Sequence, residues 1–579
     1  MGEVRKNWIV AEPDPRQCAE LAHALSLPPL LARLLVLRGL AAPPSADIFL
    51  NAPLKELHDP FLMKGMKEAV GRVLQAIRNK EKILVFADYD VDGVAAASLM
   101  VHFFREIGVP LDYYIPRRLS EGYGLNEAAV HAVRDRGVTL LITADCGIGA
   151  VEEIKKAREL GMDVIVTDHH QISGELPQAV AVLNPLREDC PYPYKFLCGT
   201  GIVYKFLMGL RAELRQSAHP AEMPNLKKHL DLVALATIAD VVPLTGENHI
   251  LARRGLEELA NTSKPGLRAL KSVAGLQEKK MDAYAVGFVL APRLNAAGRL
   301  GEAEKSVALL VSENMAEALD IATQLDEENR ERQRIQEEVL AEARQMIKKG
   351  VNLNTEQSIV LASENWHPGV IGIAASRILE SHYRPTILIA LADGKGRGSA
   401  RSIDAFNIHE GLQECAHLLM QFGGHRMAAG LNIDPEKVGA FKSKFEEVVA
   451  RRLKPEDMVP TLRADGEITL DELDGELLDR LEVLAPFGIS NPRPVFVARG
   501  VRSKGAILRM GKNKEHLKFQ VQNGRGRPME AVGFYMEKLF RKADMENSSL
   551  DILFTPQMNE WNGKETIQLK MSDCRIHAD

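Results

Sequence analysis

The chain predicts an α/β protein built from a parallel-sheet lobe, a long helix, a smaller α/β lobe and a β-rich C-terminal region. Three observations carry this. Between residue 81 and about 185, short apolar runs alternate with helix-like stretches, the βαβα rhythm of a mostly parallel sheet with helices on both faces. From 315 to 349 one helical pattern continues unbroken, with a charged middle, Asp326–Glu338. From about Val495 short strand-like runs take over. A length of 579 residues exceeds what one core supports and predicts three or four domains.

Taken in order, residues 1–80 read as a helical lead-in, punctuated by Pro43-Pro44 and Asp59-Pro60, with helical spacing from Met63 to Asn79. Strands are expected at Ile83–Ala87, Leu111–Ile115, Thr139–Ala144, Asp163–Thr167 and Val180–Leu183. Residues 200–312 read as mostly helical. The run Arg293–Gly301, RLNAAGRLG, reads as a loop with two arginines. The pattern at 315–349 predicts a connector about 50 Å long at 1.5 Å per residue. Strands Ser358–Ala362 and Thr386–Ala390 frame a helix, Val370–Leu379. Two polar glycine-rich runs follow, Gly394–Ser402 and Gly423–Gly430. Asp465–Glu482 reads as acidic and helical. The corresponding domains are 1–80, 81–312, 313–350, 351–455 and 456–579.

The composition, 46% hydrophobic and 26% charged, is that of an ordinary globular protein. A net charge of −5 does not advertise a nucleic-acid partner, so any basic surface must be local. Such a stretch exists: Arg499 to Arg527 holds nine Lys or Arg and one Glu. The six cysteines form no CxxC pair, which argues against a thiol zinc site and fits a reducing compartment. The N-terminal residues contain no signal-peptide core, Lys6 stands where a myristoylation signal needs Ser or Thr, and no apolar run is long enough to span a membrane. A cytoplasmic protein without membrane partners is expected.

The chemistry concentrates at ILVFADYDVDG, Ile83–Gly93. A buried strand ends in acids on alternate positions, Asp88, Asp90 and Asp92; an extended chain puts these on one side. Gly93 is expected to break the run, with a helix from Val94 to Ile107. Converging carboxylates repel unless a hard cation neutralises them. The same pattern opens an EF-hand loop, but position twelve from Asp88 is Leu99 rather than Glu, and a strand enters instead of a helix. A solvated acidic turn is the other plain alternative. Further polar groups follow later strands: Asp145, then Asp168-His169-His170, with Asp240 after an apolar helix. Ligands in such sheets bind beyond the carboxyl ends of the strands. Carboxylates with imidazoles suit Mn²⁺, and five to seven candidate ligands suit two ions sharing a carboxylate.

Asp168-His169-His170 is the signature of the DHH phosphoesterases, which the chain resembles. The ordered motifs DYDVDG, ADCG (Ala144–Gly147), TDHH (Thr167–His170) and IADVVPL (Ile238–Leu244) resemble the RecJ family of single-strand-specific 5′→3′ DNA exonucleases. RPTILIA (Arg384–Ala390), GSARS (Gly398–Ser402) and GGH (Gly423–His425) are similar to that family's DHH-associated domain. APFGISNPRPVF (Ala485–Phe496) is similar to its junction into an oligonucleotide-binding OB barrel. The resemblance implies a DHH metal lobe, a DHH-associated lobe and a C-terminal OB-fold. It implies Mn²⁺ or Mg²⁺, two ions, held by Asp90, Asp92, Asp145, His169 and Asp240, with Asp145 bridging. Asp88 is added as a ligand or an orienting group, and His170 as catalytic or orienting. Arg118, with Arg117 beside it, and Arg299 are assigned to substrate phosphate. Ser399 and Arg401 are assigned to the 5′-terminal phosphate, and His425 to the scissile one. Phe519 and Trp561 are candidate base-stacking residues. Single-stranded DNA is the implied partner, with a single-strand-binding protein and a RecQ-type helicase expected from the family in DNA repair and recombination. Two other readings are a non-catalytic DNA-binding replication scaffold and a DHH phosphodiesterase acting on short oligonucleotides; intact ligand positions oppose the first and the basic tail opposes the second.

Overall fold

The computed structural model describes residues 6–118, 121–122, 124–216, 222–300, 303–511, 514–524, 526–536, 548–561 and 564–577. Two compact units divide the chain. One comprises Pro44–Arg332 with Ala485–Pro492; the other comprises Met1–Pro43, Gln333–Leu484 and Arg493–Asp579. The helix Met315–Gly350 runs through the division between Arg332 and Gln333.

In the first unit the strands Ile83–Ala87, Asp112–Tyr114, Leu140–Ala144, Asp163–Thr167 and Ala181–Leu183 form a wholly parallel sheet. Ile83–Ala87 lies second from one edge, between Asp112–Tyr114 and Leu140–Ala144. Ile83–Ala87 and Leu140–Ala144 are buried at every position, so their continuous apolar runs reflect cover on both faces. One face packs Val85, Ile142 and Ile165 under the helices Met66–Asn79, Val91–Glu106 and Gly199–Gln216. The other packs Leu84, Leu141 and Val164 under Glu127–Asp135 and Val151–Glu159.

Two expectations are corrected here. Gly93 does not break the chain: the helix starts at Val91, capped by Asp90, and Gly93 lies in its first turn. The run from Arg293 to Leu300 is not a loop: Ala291–Leu300 is helical and continues a π-helical turn, Ala285–Leu290, while Gly301 lies outside the described residues. Pro292 lies where the π-helical turn passes into this helix, and Leu294, Ala296 and Ala297 are buried.

In the second unit, strands Ile359–Ser363, Thr386–Ala392, Lys395–Arg401, Leu419–Gly424 and Ala428–Ile433 form a mixed sheet beside the helix Ile371–His382. Gly394–Ser402 is therefore mainly a strand. Its glycines leave room for neighbours: a Cβ on Gly398 would meet Leu431 Cδ1 at 2.6 Å. Gly423–Gly430 is a hairpin, pairing Gly423 with Gly430.

The C-terminal strands Phe496–Met510, His516–Gln522, Met529–Gly533, Lys564–Ile576 and Ser549–Trp561 pair in that order. Pairing of the first with the last, Phe496 opposite Phe554, closes a five-stranded barrel. Three of these strands are long rather than short and bend at register shifts, as between Lys504 and Leu508. Phe519 is buried in the barrel, so it is core and not a stacking surface; the side chain of Trp561 lies outside the described residues.

The lead-in is not wholly helical. Asn7–Val10 is a strand paired in parallel with Thr461–Ala464, and Trp8 Nε1 donates to Asp573 Oδ2 at 2.8 Å. Asp465–Glu482 is helical only at Leu470–Glu472 and Gly475–Glu482. Among the described residues no single helix is long and apolar enough to cross a membrane.

Candidate metal centre

The first strand delivers Asp88 to the end of the sheet, where its N–H donates to Ala144 O at 3.3 Å. The chain then folds back rather than running extended. Asp90 caps the helix Val91–Glu106, its Oδ1 accepting from Asp92 N at 2.9 Å and Gly93 N at 3.3 Å. Asp92 is in the first helical turn. The three acids converge through a helix start, not through strand alternation. Gly93 makes this possible: a Cβ there would sit 2.3 Å from Asp88 O.

Neighbouring elements hold the loop. Val91 N donates to Asn295 Oδ1 at 3.1 Å. Gly199 N and Thr200 N, at the start of the helix Gly199–Gln216, donate to the two oxygens of Asp92 at 2.6 and 2.7 Å. The amide groups of a helix start suit a carboxylate. Asp145 follows the strand Leu140–Ala144 with φ of 62°, an unfavourable backbone for a non-glycine residue. Its N–H donates to Thr167 O at 2.9 Å. Asp240 ends the helix Leu230–Ala239.

Three clusters of ligand atoms result: Asp88, Asp90 and Asp145; Asp92, His169 and Asp240; and Asp145, His169 and His170. Asp145 joins them, because its Oδ1 lies 3.2 Å from His169 Nε2, which is 3.6 Å from Asp240 Oδ2 and 3.9 Å from Asp92 Oδ2. Asp88 Oδ1, Asp145 Oδ1, His169 Nε2 and Asp240 Oδ2 are buried, and none has a hydrogen-bond partner among the described residues. His169 and Asp145 are close, but their angles do not make a hydrogen bond.

Electrostatics point the same way. Burial, then Asp90, pushes the Asp88 carboxyl up to about 8. Burial, then Asp92, pushes Asp240 up to about 9 and raises Asp90 and Asp145 as well. Burial lowers His169. The cluster therefore retains protons unless a cation replaces them. Asp168 differs. Burial opposes its charge, but His170 Nδ1, at 2.7 Å, His170 N at 3.0 Å and Ile148 N at 2.9 Å hold its carboxyl below the usual range. Asp168 thus fixes the orientation of His170.

Arg118 lies over the Tyr89 ring, 5.0 Å from its centroid. Arg117 is exposed, with its N–H on Glu121 Oε1 at 3.0 Å. Arg299 is on the helix that carries Asn295. Ser399, Arg401 and His425 belong to the other unit. Arg401 Nη1 donates to Ser399 Oγ at 3.1 Å and Nε to Ser376 Oγ at 3.1 Å. A Cβ on Gly372, in the first turn of the helix Ile371–His382, would lie 3.0 Å from both Arg401 Nη2 and Ser399 Oγ. His425 is exposed at the hairpin tip. Asn295, Gly199, Thr200, Ser376 and Gly372 escaped the sequence reading because they touch the site only through the fold.

A parallel sheet whose carboxyl ends gather acids and imidazoles into adjoining clusters defines a metal-dependent phosphoesterase of the DHH type. Residues 82–237 match the N-terminal domain of the DHH family, 355–451 the DHHA1 domain and 464–573 the RecJ OB domain. The chain belongs to the RecJ family. It is 39% identical to the single-stranded-DNA-specific exonuclease RecJ of Bacillus subtilis (strain 168), over 99% of this chain and 71% of that one. The crystal structure of RecJ from Thermus thermophilus in complex with Mn²⁺ superposes with a TM-score of 0.83 at 30% identity, covering 99% of this chain and 80% of that one. Its complex with Mg²⁺ gives 0.78 at 29%, covering 99% and 79%.

Proposed function

We propose that this protein is a single-stranded-DNA-specific 5′→3′ exonuclease that hydrolyses phosphodiesters with two divalent ions. The observation that carries the two-ion reading is the three adjoining clusters, two sharing Asp145 and two sharing His169, with four buried ligand atoms that have no hydrogen bond among the described residues. The donors fit Mn²⁺ or Mg²⁺: carboxylate oxygens dominate, with one imidazole nitrogen. Asp88, Asp90 and Asp145 would hold one ion, and Asp92, His169 and Asp240, with Asp145, would hold the other. When bound, the ions supply an activated water and neutralise charge developing on the phosphoryl group.

The chain's own groups do the rest. Asp168 keeps His170 oriented beside Asp145. Arg118 and Arg299 offer guanidinium groups to phosphate oxygens near the DYD loop. Ser399 and Arg401 take the 5′-terminal phosphate, and His425 donates a hydrogen bond to substrate phosphate. The barrel binds single strand through its exposed cations. The working division is 1–80 lead-in, 81–312 catalytic domain, 313–350 connector, 351–455 DHH-associated domain and 456–579 OB-fold region. The setting is cytoplasmic repair and recombination, with a single-strand-binding protein and a RecQ-type helicase as partners.

The test is digestion of single strands labelled at the 5′ or the 3′ end, with Mn²⁺ and then with EDTA. The 5′ label should appear at once as a short product while the 3′-labelled strand shortens progressively, and EDTA should stop both. Release of the 3′ label first, or cleavage in EDTA, overturns the proposal.

A further inference from the structure

Tyr284 and Phe288 are two large aromatic side chains left 64% and 69% exposed. Their rings stack on each other, with centroids 5.1 Å apart and planes 25° apart. No core explains them, and isolated apolar residues on a surface would need no explanation. Here there are two, ordered against each other, and their position ties them to the metal centre.

Tyr284 opens the π-helical turn Ala285–Leu290 that holds Phe288, a distortion found often at functional sites. The turn packs on the helix Leu230–Ala239: a Cβ on Gly287 would lie 3.7 Å from Ile238 Cγ2, two residues before Asp240. In the other direction it runs directly into the helix Ala291–Leu300. That helix accepts the Val91 N–H on Asn295 and touches Tyr89 O, which would be 2.8 Å from a Cβ on Gly298. The same helix carries Arg299. The aromatic pair is thus mounted on the element that braces the DYD loop and adjoins the Asp240 helix.

We infer that Tyr284 and Phe288 form a base-stacking platform for the single-stranded substrate beside the metal clusters. This rests on the proposed nuclease function and adds to it a contact with the base. Every base has a π-face, so stacking tolerates any sequence, but the face is available only when the base is not stacked within a duplex. The platform therefore reads single-strandedness, whereas phosphate contacts read only charge. Its continuity with the loop that places Asp88, Asp90 and Asp92 favours nucleic acid as occupant over a partner protein.

The experiment uses the full-length chain and the variant Y284A/F288A. Wild-type cleavage of a thymidine oligonucleotide with Mn²⁺ tests the underlying function on its own; without it, the nuclease reading fails, not the platform. The platform is read from the ratio of kcat/KM on that strand to kcat/KM on a strand with abasic nucleotides near its 5′ end. We expect the double variant to lower this ratio roughly fivefold to 100-fold, the range for one lost stacking contact. A 2-aminopurine placed at successive positions, titrated in EDTA so that no cleavage intervenes, should be quenched on binding wild type at the stacked position and not on binding the variant. The exchange variant Y284F/F288Y keeps both π-faces and should keep the quench. If the alanine variant fails to fold, Y284L/F288L replaces it, since leucine fills space without a π-face. An unchanged ratio and an unchanged quench in a folded variant overturn the inference, including the case in which the patch docks a protein.

Discussion

The two units handle charge in opposite ways. In the first, acids gather at a sheet end, Asp88 and Asp145 buried and Asp90 and Asp240 half-buried; all four are shifted toward their protonated forms by desolvation and by one another. In the second, the cations of interest stand half-buried or exposed, and some are braced by neighbours. Arg401 is braced by Ser376 and Ser399, and Arg499 pairs with Glu467 at 2.8 Å. A dry cluster of like charges is a site for a bound counter-ion, since it is costly without one. A braced, solvated cation is a site for a transient anion, because it is stable alone and already oriented. We propose that the bound cation belongs to the first unit, and that the braced cations of the second take passing phosphates alongside Arg118 and Arg299 of the first.

The strongest way to break it is at Asp145. Asp145→Ala removes the carboxylate shared by the clusters, and we expect a rate loss of at least ~10³ on single strands, the scale of a lost transition-state electrostatic element. Titration with Mn²⁺ followed by single-turnover cleavage checks this. Near-normal turnover with metal bound would refute the joint role of Asp145.

The metal-free protein should also report the cluster through pH. The carboxyls of Asp88 and Asp240 sit at about 8 and about 9, above their values in an unfolded chain. The folded state therefore binds more protons than the unfolded one across that window. Stability must fall as pH rises through it. In EDTA the melting temperature should drop by at least a few degrees from about pH 6 to about pH 9. With Mn²⁺ the drop should vanish, because the ion stabilises the charged forms. A flat profile in EDTA would mean that the acids are not strained by one another.

Much of the first unit was legible because its strands are continuous apolar runs. Ile83–Ala87 and Asp163–Thr167 have the bounds their sequences suggest, and the acids stand out as polar residues directly after such runs. What failed was geometry that depends on distant neighbours. Arg293–Gly301 looks like a loop because its glycine and polar residues are locally poor for a helix, while the reason for Gly298 is Tyr89 O, some two hundred residues away in sequence. Lys395–Arg401 lacks large apolar side chains because Leu431 and Ile389 fill their space. Asn7–Val10 pairs with a strand more than four hundred residues later, which no local pattern announces. The acids of DYDVDG were visible, but their convergence through a helix cap was not, since alternation in an extended chain suggests the same gathering.

A smaller effect is expected at Arg401. Arg401→Ala should reduce the preference for 5′-phosphate over 5′-hydroxyl ends by about 1.5–3 kcal/mol, as for a lost charged hydrogen bond. Metal binding should remain, since no ligand of the clusters is changed. The ratio of kcat/KM on the two substrates measures it, and an unchanged ratio would move the phosphate site to Arg118.

The smallest expected effect tests whether cationic binding in the second unit is confined to the Arg401 cradle or spread over the barrel. Deleting the tail after Leu484 is too blunt, because Ala485–Pro492 belongs to the first unit and Ile489 O accepts the Leu244 N–H at 2.8 Å, close to Asp240. Charge substitutions avoid this. Arg502, Lys504 and Arg509 are exposed on the strand Phe496–Met510, whereas Lys518 is paired with Glu530 at 2.6 Å. Ser503 is buried between Arg502 and Lys504, so strand alternation turns both cations outward. Each phosphate contact on a single strand contributes about 0.7 to the slope of log affinity against log salt. R502A/K504A/R509A should therefore flatten that slope by about 2 for a long oligonucleotide if all three touch phosphate. For a strand too short to reach the barrel the slope should not change. Equal slopes in wild type and variant on the long strand would remove these cations from the binding surface and leave the cradle as the second unit's principal phosphate site.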